Sequence, residues 1–201
     1  MVDARLARIL KLVRRHVPDL RLVHKDEVRW MRWVGGLLRP VVPEFSSRYT
    51  TVMGRTVFLP RPARQMPPRV LASTLAHELV HQLDQQRWGP LFYLSYGFCL
   101  PVGRSLRAHW ERRAYAVDLL LARERGGEPE LERVVDTLVD LFSGRSYLWM
   151  WVGRSSARAF LEPVVEAVRT GDLDHTEPYV SILKAWRGTT ETREEEWASR
   201  A

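Results

Sequence analysis

The pentapeptide His77-Glu78-Leu79-Val80-His81 constrains this chain more than any other stretch of it. Inside a helix, H-E-x-x-H places two imidazoles and one carboxylate on one face. At about 100° per residue, His77 and His81 lie about 40° apart around the axis and one turn apart along it, so both rings can reach one ion. Glu78 lies about 60° from His81, within reach of a water on that ion. The spacing predicts a zinc site in which Glu78 is the general base that activates water.

The surrounding sequence predicts that the motif lies in the middle of a helix from Arg69 to about Arg87. Pro67-Pro68 favours a helix start, neither Gly nor Pro interrupts the range, and Trp88-Gly89-Pro90 favours a stop. An apolar stripe along this helix predicts one buried face. The stripe consists of Leu71, Leu75, Leu79 and Leu83. The alternative is an amphipathic helix that carries two ordinary histidines and binds no metal.

A catalytic zinc site needs a third protein ligand and an open fourth position. Glu111 is the strongest candidate, in a second helical pattern over residues 104–118, where it shares one face with Tyr115 and Asp118. His109 is the rival ligand, but it projects about 160° away from Glu111, close to the apolar side of the helix. A further alternative makes Glu111 a solvated charge that pairs with a nearby Arg.

The two motifs together resemble the gluzincin metallopeptidases, in which a helix with H-E-x-x-H is followed by a helix with a glutamate ligand in an E-x-x-A-D or E-x-x-A-Y context. The sequence E-R-R-A-Y at residues 111–115 matches the second form, and the resemblance covers about residues 49–121. It implies that Glu78 acts as general base and acid in a zinc-dependent peptidase. It also implies one Zn²⁺ with three protein ligands: His77, His81 and Glu111.

Many gluzincins carry an Asp four residues after the glutamate ligand, where it orients a ligating histidine. Tyr115 occupies that position here, so Tyr115, Asp118 and Asp84 are all candidates for contacts behind the ligands. Tyr115, Tyr96 and Tyr93 are candidates to stabilise an oxyanion. The chain has no H-E-x-x-H-x-x-G-x-x-H arrangement, which argues against a metzincin.

Two β-rich runs upstream of the motif, Tyr49–Met53 and Thr56–Leu59, are separated by Gly54-Arg55 and predict a hairpin. The resemblance implies that one of these strands binds an extended peptide along its edge. The alternative is a hairpin that only closes the core. Arg21–His24 could supply a further strand, whereas residues 28–34 are compatible with a strand or a helix.

Helical spacing predicts a helix over the first 17 residues, ended by Pro18, and two later helices at Glu128–Phe142 and Arg154–Thr170. The charge-rich segment Glu191–Ala201 is expected to be a disordered tail. We therefore expect one α+β domain of zincin-like fold over residues 1–190. Its small mixed sheet and active-site helix form a metal-site core at about 49–121, and a mainly helical extension follows at about 128–190.

Composition gives further expectations about location. Cys99 is the only cysteine, so no intramolecular disulfide can form. The N-terminal segment lacks the features of a secretory signal, so we expect a cytoplasmic protein.

The apolar segment Pro90–Val102 is too short to span a membrane. We expect it to form a wall of the cleft, with superficial membrane contact as the alternative. The aromatic segment Ser146–Val152 is expected to pack in the core.

The net charge of +7 raises nucleic acid as an alternative partner to a peptide or protein substrate. The basic residues are spread along the chain, and no DNA- or RNA-binding motif is found, so nucleic acid is not favoured. A DNA-associated H-E-x-x-H protease is the runner-up, although the downstream His ligand expected there is missing. A zinc-stabilised, non-catalytic interaction module is the non-enzyme alternative. Glu78 argues against it, because a structural site needs no base.

Overall fold

The computed structural model describes residues 3–40, 44–97, 106–144 and 150–188. Helices dominate these ranges, and a small sheet lies in the N-terminal half. The strands are β1 (Arg21–His24), β2 (Thr51–Met53) and β3 (Thr56–Leu59). The helices are α1 (Ala4–His16), α2 (Arg29–Leu38), α3 (Pro68–Trp88), α4 (Pro90–Gly97), α5 (Leu106–Ser143), α6 (Arg154–Thr170) and α7 (Tyr179–Arg187). This architecture agrees with the expected α+β class and the mainly helical C-terminal part.

The sheet is mixed, as predicted, with the strand order β1-β3-β2. Strand β3 pairs in parallel with β1 and antiparallel with β2. The predicted hairpin is confirmed, although its first strand begins at Thr51 and not at Tyr49. The strand predicted at Arg21–His24 is also confirmed. Of the two alternatives for residues 28–34, the chain adopts the helix, α2.

Helix α3 begins and ends within one residue of the bounds predicted from the flanking Pro and Gly residues. Pro68 occupies the first turn, where its missing N–H needs no partner. Gly89 ends the helix with a φ of +50°, a backbone conformation that favours glycine. The central leucines of the predicted stripe, Leu75 and Leu79, are fully buried. Helix α3 is therefore anchored along its length, and this fixes the two motif histidines in space.

One hydrophobic cluster joins residues of α1, β3, α3, α5, α6 and α7. Helix α3 packs against α5 in this cluster, and both carry small, fully buried residues, Ala76 on α3 and Ala114 on α5. Small residues let two helix backbones approach closely. Helix α5 is broken at Gly126 and Gly127, whose backbone angles are not helical, so the helix predicted at Glu128–Phe142 forms its second segment. The first segment is the one that faces α3.

Some predictions fall on residues outside the described ranges. They concern Cys99, the tail at 191–201, the end of the 90–102 segment beyond Gly97, and most of the aromatic segment at 146–152. The described end of that aromatic segment includes Met150 and Trp151, which are buried. Among the helices that are described, none combines the length and the apolar character required to cross a membrane.

Candidate metal centre

Helices α3 and α5 bring three candidate ligands to one point. The donor atoms of His77, His81 and Glu111 all lie within 4.8 Å of one another. Glu111 Oε2 is 3.9 Å from His77 Nε2 and 3.7 Å from His81 Nε2. Around a tetrahedral zinc ion with bonds near 2.1 Å, ligand atoms lie about 3.4 Å apart. The two imidazoles and the carboxylate therefore fit a metal ion with small side-chain adjustments.

The two oxygens of Glu111 have different surroundings. Tyr96 donates a short hydrogen bond from its hydroxyl to Oε1, and Arg107 Nε lies 3.6 Å from the same oxygen. The other oxygen, Oε2, faces the two histidines. This division holds the carboxylate in one orientation and leaves one oxygen for a metal ion. Tyr96, one of the three candidates to stabilise an oxyanion, is thus engaged with Glu111.

Asp118 supports His77 from behind. Its Oδ2 lies 2.6 Å from His77 Nδ1, so Nε2 of the same ring is directed towards Glu111. A carboxylate on the far nitrogen fixes the orientation of a ligating histidine and increases its basicity. Burial lowers the pKa of His77, but Asp118, with smaller contributions from Glu78 and Glu111, overrides burial and raises it to about 9. Binding of a metal at Nε2 would therefore release a proton from His77.

Glu111 is buried and is not the solvated helix charge of the alternative interpretation. Only 3% of the residue is exposed. Burial alone would raise the pKa of Glu111, but His81, Arg107 and His77 together hold it well below its usual range. Burying a carboxylate without compensating positive charge is very costly. A cation at the three donors would supply such compensation directly.

Glu78 lies beside the three donors and keeps its carboxylate free. It is 7% exposed and lines the same cavity as the three donors. Among the described residues, none donates a hydrogen bond to its side chain. Burial raises the pKa of Glu78, while the neighbouring His77 and His81 partly oppose that shift. A raised pKa brings a carboxylate closer to the range in which it can both accept and return a proton near neutral pH.

A cavity of about 610 Å³ opens over these residues. This volume is within the range of sites that bind small molecules or short peptide segments. Helix α4 contributes Phe92, Tyr93 and Tyr96, so the expected role of the 90–102 segment as a cleft wall is confirmed for its described part. Segment 44–53 forms another wall. The aromatic lining residues are Phe45, Tyr49, Phe92, Tyr93, Tyr96 and Tyr115.

The edge strand β2 borders this cavity, but part of its edge is already bound. The Gln85 side chain donates from Nε2 to the Val52 carbonyl at 3.2 Å and accepts from the Gly54 N–H at 2.8 Å. Tyr93 donates its hydroxyl to the same Gln85 oxygen. The amide of Gln85 therefore occupies the position that a peptide group of a neighbouring strand would take. Addition of a peptide at Val52–Gly54 would require Gln85 to move.

The remaining sequence candidates have different surroundings. Asp84 pairs with Arg113 at 3.1 Å and makes no hydrogen bond to a ligand histidine within the described ranges. His109 packs edge-on against Phe160, with ring centroids 5.0 Å apart, and does not line the cavity. Tyr115 packs edge-on against His77 at 4.7 Å. Asp118 is therefore the candidate that contacts a histidine through a hydrogen bond.

The sequence analysis did not identify Gln85, which lines the cavity, or Lys25, which contacts the lining residue Phe45. Gln85 follows His81 by four residues, so its position on the same helical face was available from the spacing. Lys25 gave no such signal. It is 2% exposed, donates to the Phe45 carbonyl at 2.9 Å, and lies 3.8 Å from the centre of the Phe45 ring. Lys25 therefore holds one wall of the cavity in place.

We expect Lys25 to make the free energy of unfolding increase as the pH rises above about 7. Burial lowers its pKa from 10.5 to about 7, and the charge of Glu78 opposes part of this shift. Between these two values the unfolded chain binds more protons than the folded protein, so stability should rise with pH through this window. Relative to Lys25→Met, the wild-type free energy of unfolding should rise by roughly 1 kcal/mol per pH unit. Urea unfolding of both proteins at several pH values measures this, and a constant difference would contradict it.

Comparisons of the chain with protein-family models, with curated proteins and with solved structures found no match. Inferences about function therefore rest on the sequence and the site geometry of this protein. The relevant features are the three grouped donors, the free carboxylate of Glu78, the contact between Asp118 and His77, and the cavity above them.

Proposed function

We propose that this protein is a zinc-dependent metallopeptidase of the gluzincin type, with a zincin-like fold. The observation that carries the proposal is the cluster of His77, His81 and Glu111 beside the free carboxylate of Glu78. A metal site that served only to stabilise the fold would be closed by a fourth ligand and would need no base beside it. Here the three donors face a cavity, which leaves room for a substrate.

The chain supplies a role for each group in hydrolysis. His77, His81 and Glu111 would hold the ion, and Asp118 would hold His77 in the ligating orientation. Zinc, when bound, would lower the pKa of a water molecule and polarise the substrate carbonyl. Glu78 would accept the proton of the attacking water and deliver it to the leaving amine. Its raised pKa suits both transfers.

An extended peptide is the substrate that best suits the cavity. Segment 44–53, helix α4 and the metal-site residues all line it. The aromatic lining favours bulky apolar side chains, because rings bury large apolar areas and pack edge to face. The bound edge at Val52–Gly54 argues that the peptide contacts the cavity walls and does not pair with β2 at those residues.

The proposal is tested by metal analysis followed by a cleavage assay. The purified protein should contain about one zinc ion per chain, and the zinc-loaded protein should cleave members of a quenched-fluorescent peptide library. Removal of zinc should abolish cleavage, and its return should restore it. A protein that binds zinc but cleaves no peptide would favour the non-catalytic module. Cleavage that required DNA would favour the DNA-associated protease.

The contact between Asp118 and His77 leads to a separate prediction. Asp118→Asn keeps the size of the side chain but removes the negative charge that supports the ligating ring. We expect zinc affinity to fall by about 10- to 100-fold, the usual effect of losing such a partner. Competition with a chromophoric chelator measures the affinity. Asp84→Asn is the matched control, and an equal loss in both variants would show that Asp118 has no special role.

A further inference from the structure

Helix α2 exposes an apolar stripe on its outer face. Trp33 is 70% exposed, Leu37 64% and Trp30 46%. At about 100° per residue these three side chains lie within about 60° of one another, so they form one continuous strip. Exposed apolar residues that occur singly are ordinary, but a strip with two tryptophans on one short helix is not.

Three exposed arginines, Arg29, Arg32 and Arg39, lie on one side of this strip. Around the helix axis they are about 40°, 100° and 120° from Trp33, and Arg39 follows the last residue of α2. Within the described ranges none of the three makes an ion pair, whereas many other arginines do. Examples of paired arginines are Arg64, Arg123, Arg158, Arg169 and Arg187. The exposed side of α2 therefore carries an apolar strip with positive charge along one flank.

The inner side of α2 is fixed to the protein. Met31 is buried, and Trp30, at the border of the exposed strip, packs one edge of its ring against Phe58 with ring centroids 5.4 Å apart. Gly35 lies so close to Ser46 that a Cβ at this position would collide with the serine hydroxyl. The helix is therefore docked along one side, and its apolar and basic residues face outwards on a rigid support.

We propose that α2 binds the surface of an anionic lipid membrane. Tryptophan is the side chain that best suits the boundary between headgroups and acyl chains, and arginines beside it pair with lipid phosphates. A nucleic acid would also attract the arginines, but it would offer Leu37 no apolar environment. The inference does not rest on the peptidase proposal. Because Leu38 of α2 lines the cavity, membrane binding would hold the cavity next to the lipid surface.

Vesicle sedimentation of the full chain tests this proposal. The protein should bind vesicles of phosphatidylcholine with phosphatidylglycerol, bind pure phosphatidylcholine much more weakly, and dissociate as salt is raised. The variant with Trp33→Ala and Leu37→Ala should bind on the order of tenfold more weakly. The variant with Leu91→Ala and Leu94→Ala, which removes exposed leucines from α4, should bind like the wild type. Loss of binding in the α4 variant alone would overturn the proposal.

Two triple variants that remove the same number of positive charges test the contribution of the arginines near α2. Replacing Arg29, Arg32 and Arg39 by Gln should weaken binding to anionic vesicles about 100-fold, since each basic residue contributes about fivefold. Replacing Lys11, Arg14 and Arg87 by Gln removes the same charge from α1 and α3 and should have a much smaller effect. Circular dichroism checks that both variants are folded. Equal effects of the two triple variants, or binding to duplex DNA without binding to vesicles, would contradict a lipid-binding α2.

Discussion

The Glu78→Gln variant should keep its zinc ion and lose peptidase turnover by a factor of about 10²–10⁴. Glutamine has nearly the same shape as glutamate, but its amide cannot accept the proton of the attacking water. Glu78 donates no ligand atom to the three-donor cluster, so the metal content should not change. Metal analysis and kcat measured on one cleaved peptide check both halves of the expectation.

The control for this variant is Glu166→Gln, which makes the same chemical change at an exposed position on α6. It should leave turnover unchanged. The thermal stability of Glu78→Gln should be at least that of the wild type, because burial already disfavours the charge on Glu78. Full turnover with a loaded zinc ion would remove Glu78 from the mechanism.

The second large effect is expected at Glu111. Glu111→Ala removes a buried carboxylate whose Oε2 lies within 4 Å of both histidines. We expect zinc affinity to fall by more than about 100-fold, since losing a ligand should exceed the effect of losing a partner behind one. His109→Ala, two residues earlier on the same helix, should keep the metal, because His109 packs against Phe160.

Thermal unfolding with and without a chelator distinguishes these two variants. A ligand that binds only the folded state stabilises it by an amount that grows with the logarithm of its affinity. The wild type and His109→Ala should therefore both melt at a lower temperature once zinc is removed, whereas Glu111→Ala should change little. Retained zinc in Glu111→Ala together with lost zinc in His109→Ala would refute the gluzincin assignment.

The parts of the site that the sequence predicts well are those governed by helical spacing. His77 and His81 share a face of α3, and Glu111 shares a face of α5 with Asp118, because local geometry fixes both relations. The predicted grouping of the three donors is confirmed as a geometric fact. It follows once the two helices pack side by side, and the buried Ala114 is a sequence feature that permits this.

Other features depend on contacts between distant segments, and no periodicity encodes them. Lys25 reaches Phe45, twenty residues later, and Gln85 reaches Val52 across the sheet edge. The structure of residues 28–34 was ambiguous for a physical reason. Helix α2 exposes much of its apolar surface and buries only Met31, so its pattern lacks the usual relation between apolar spacing and the core.

The amide of Gln85 has a consequence for the folding and solubility of the protein. An unpaired edge strand is a template on which a second chain can pair and aggregate. By binding the Val52 carbonyl and the Gly54 N–H, Gln85 covers part of the edge of β2 with a side chain of the metal-site helix. Because the contact fits one alignment of the hairpin, it also disfavours a one-residue slip of β2 against β3. Helix α3 therefore makes the end of β2 next to the turn less accessible to a second chain, with the same face that presents the metal ligands.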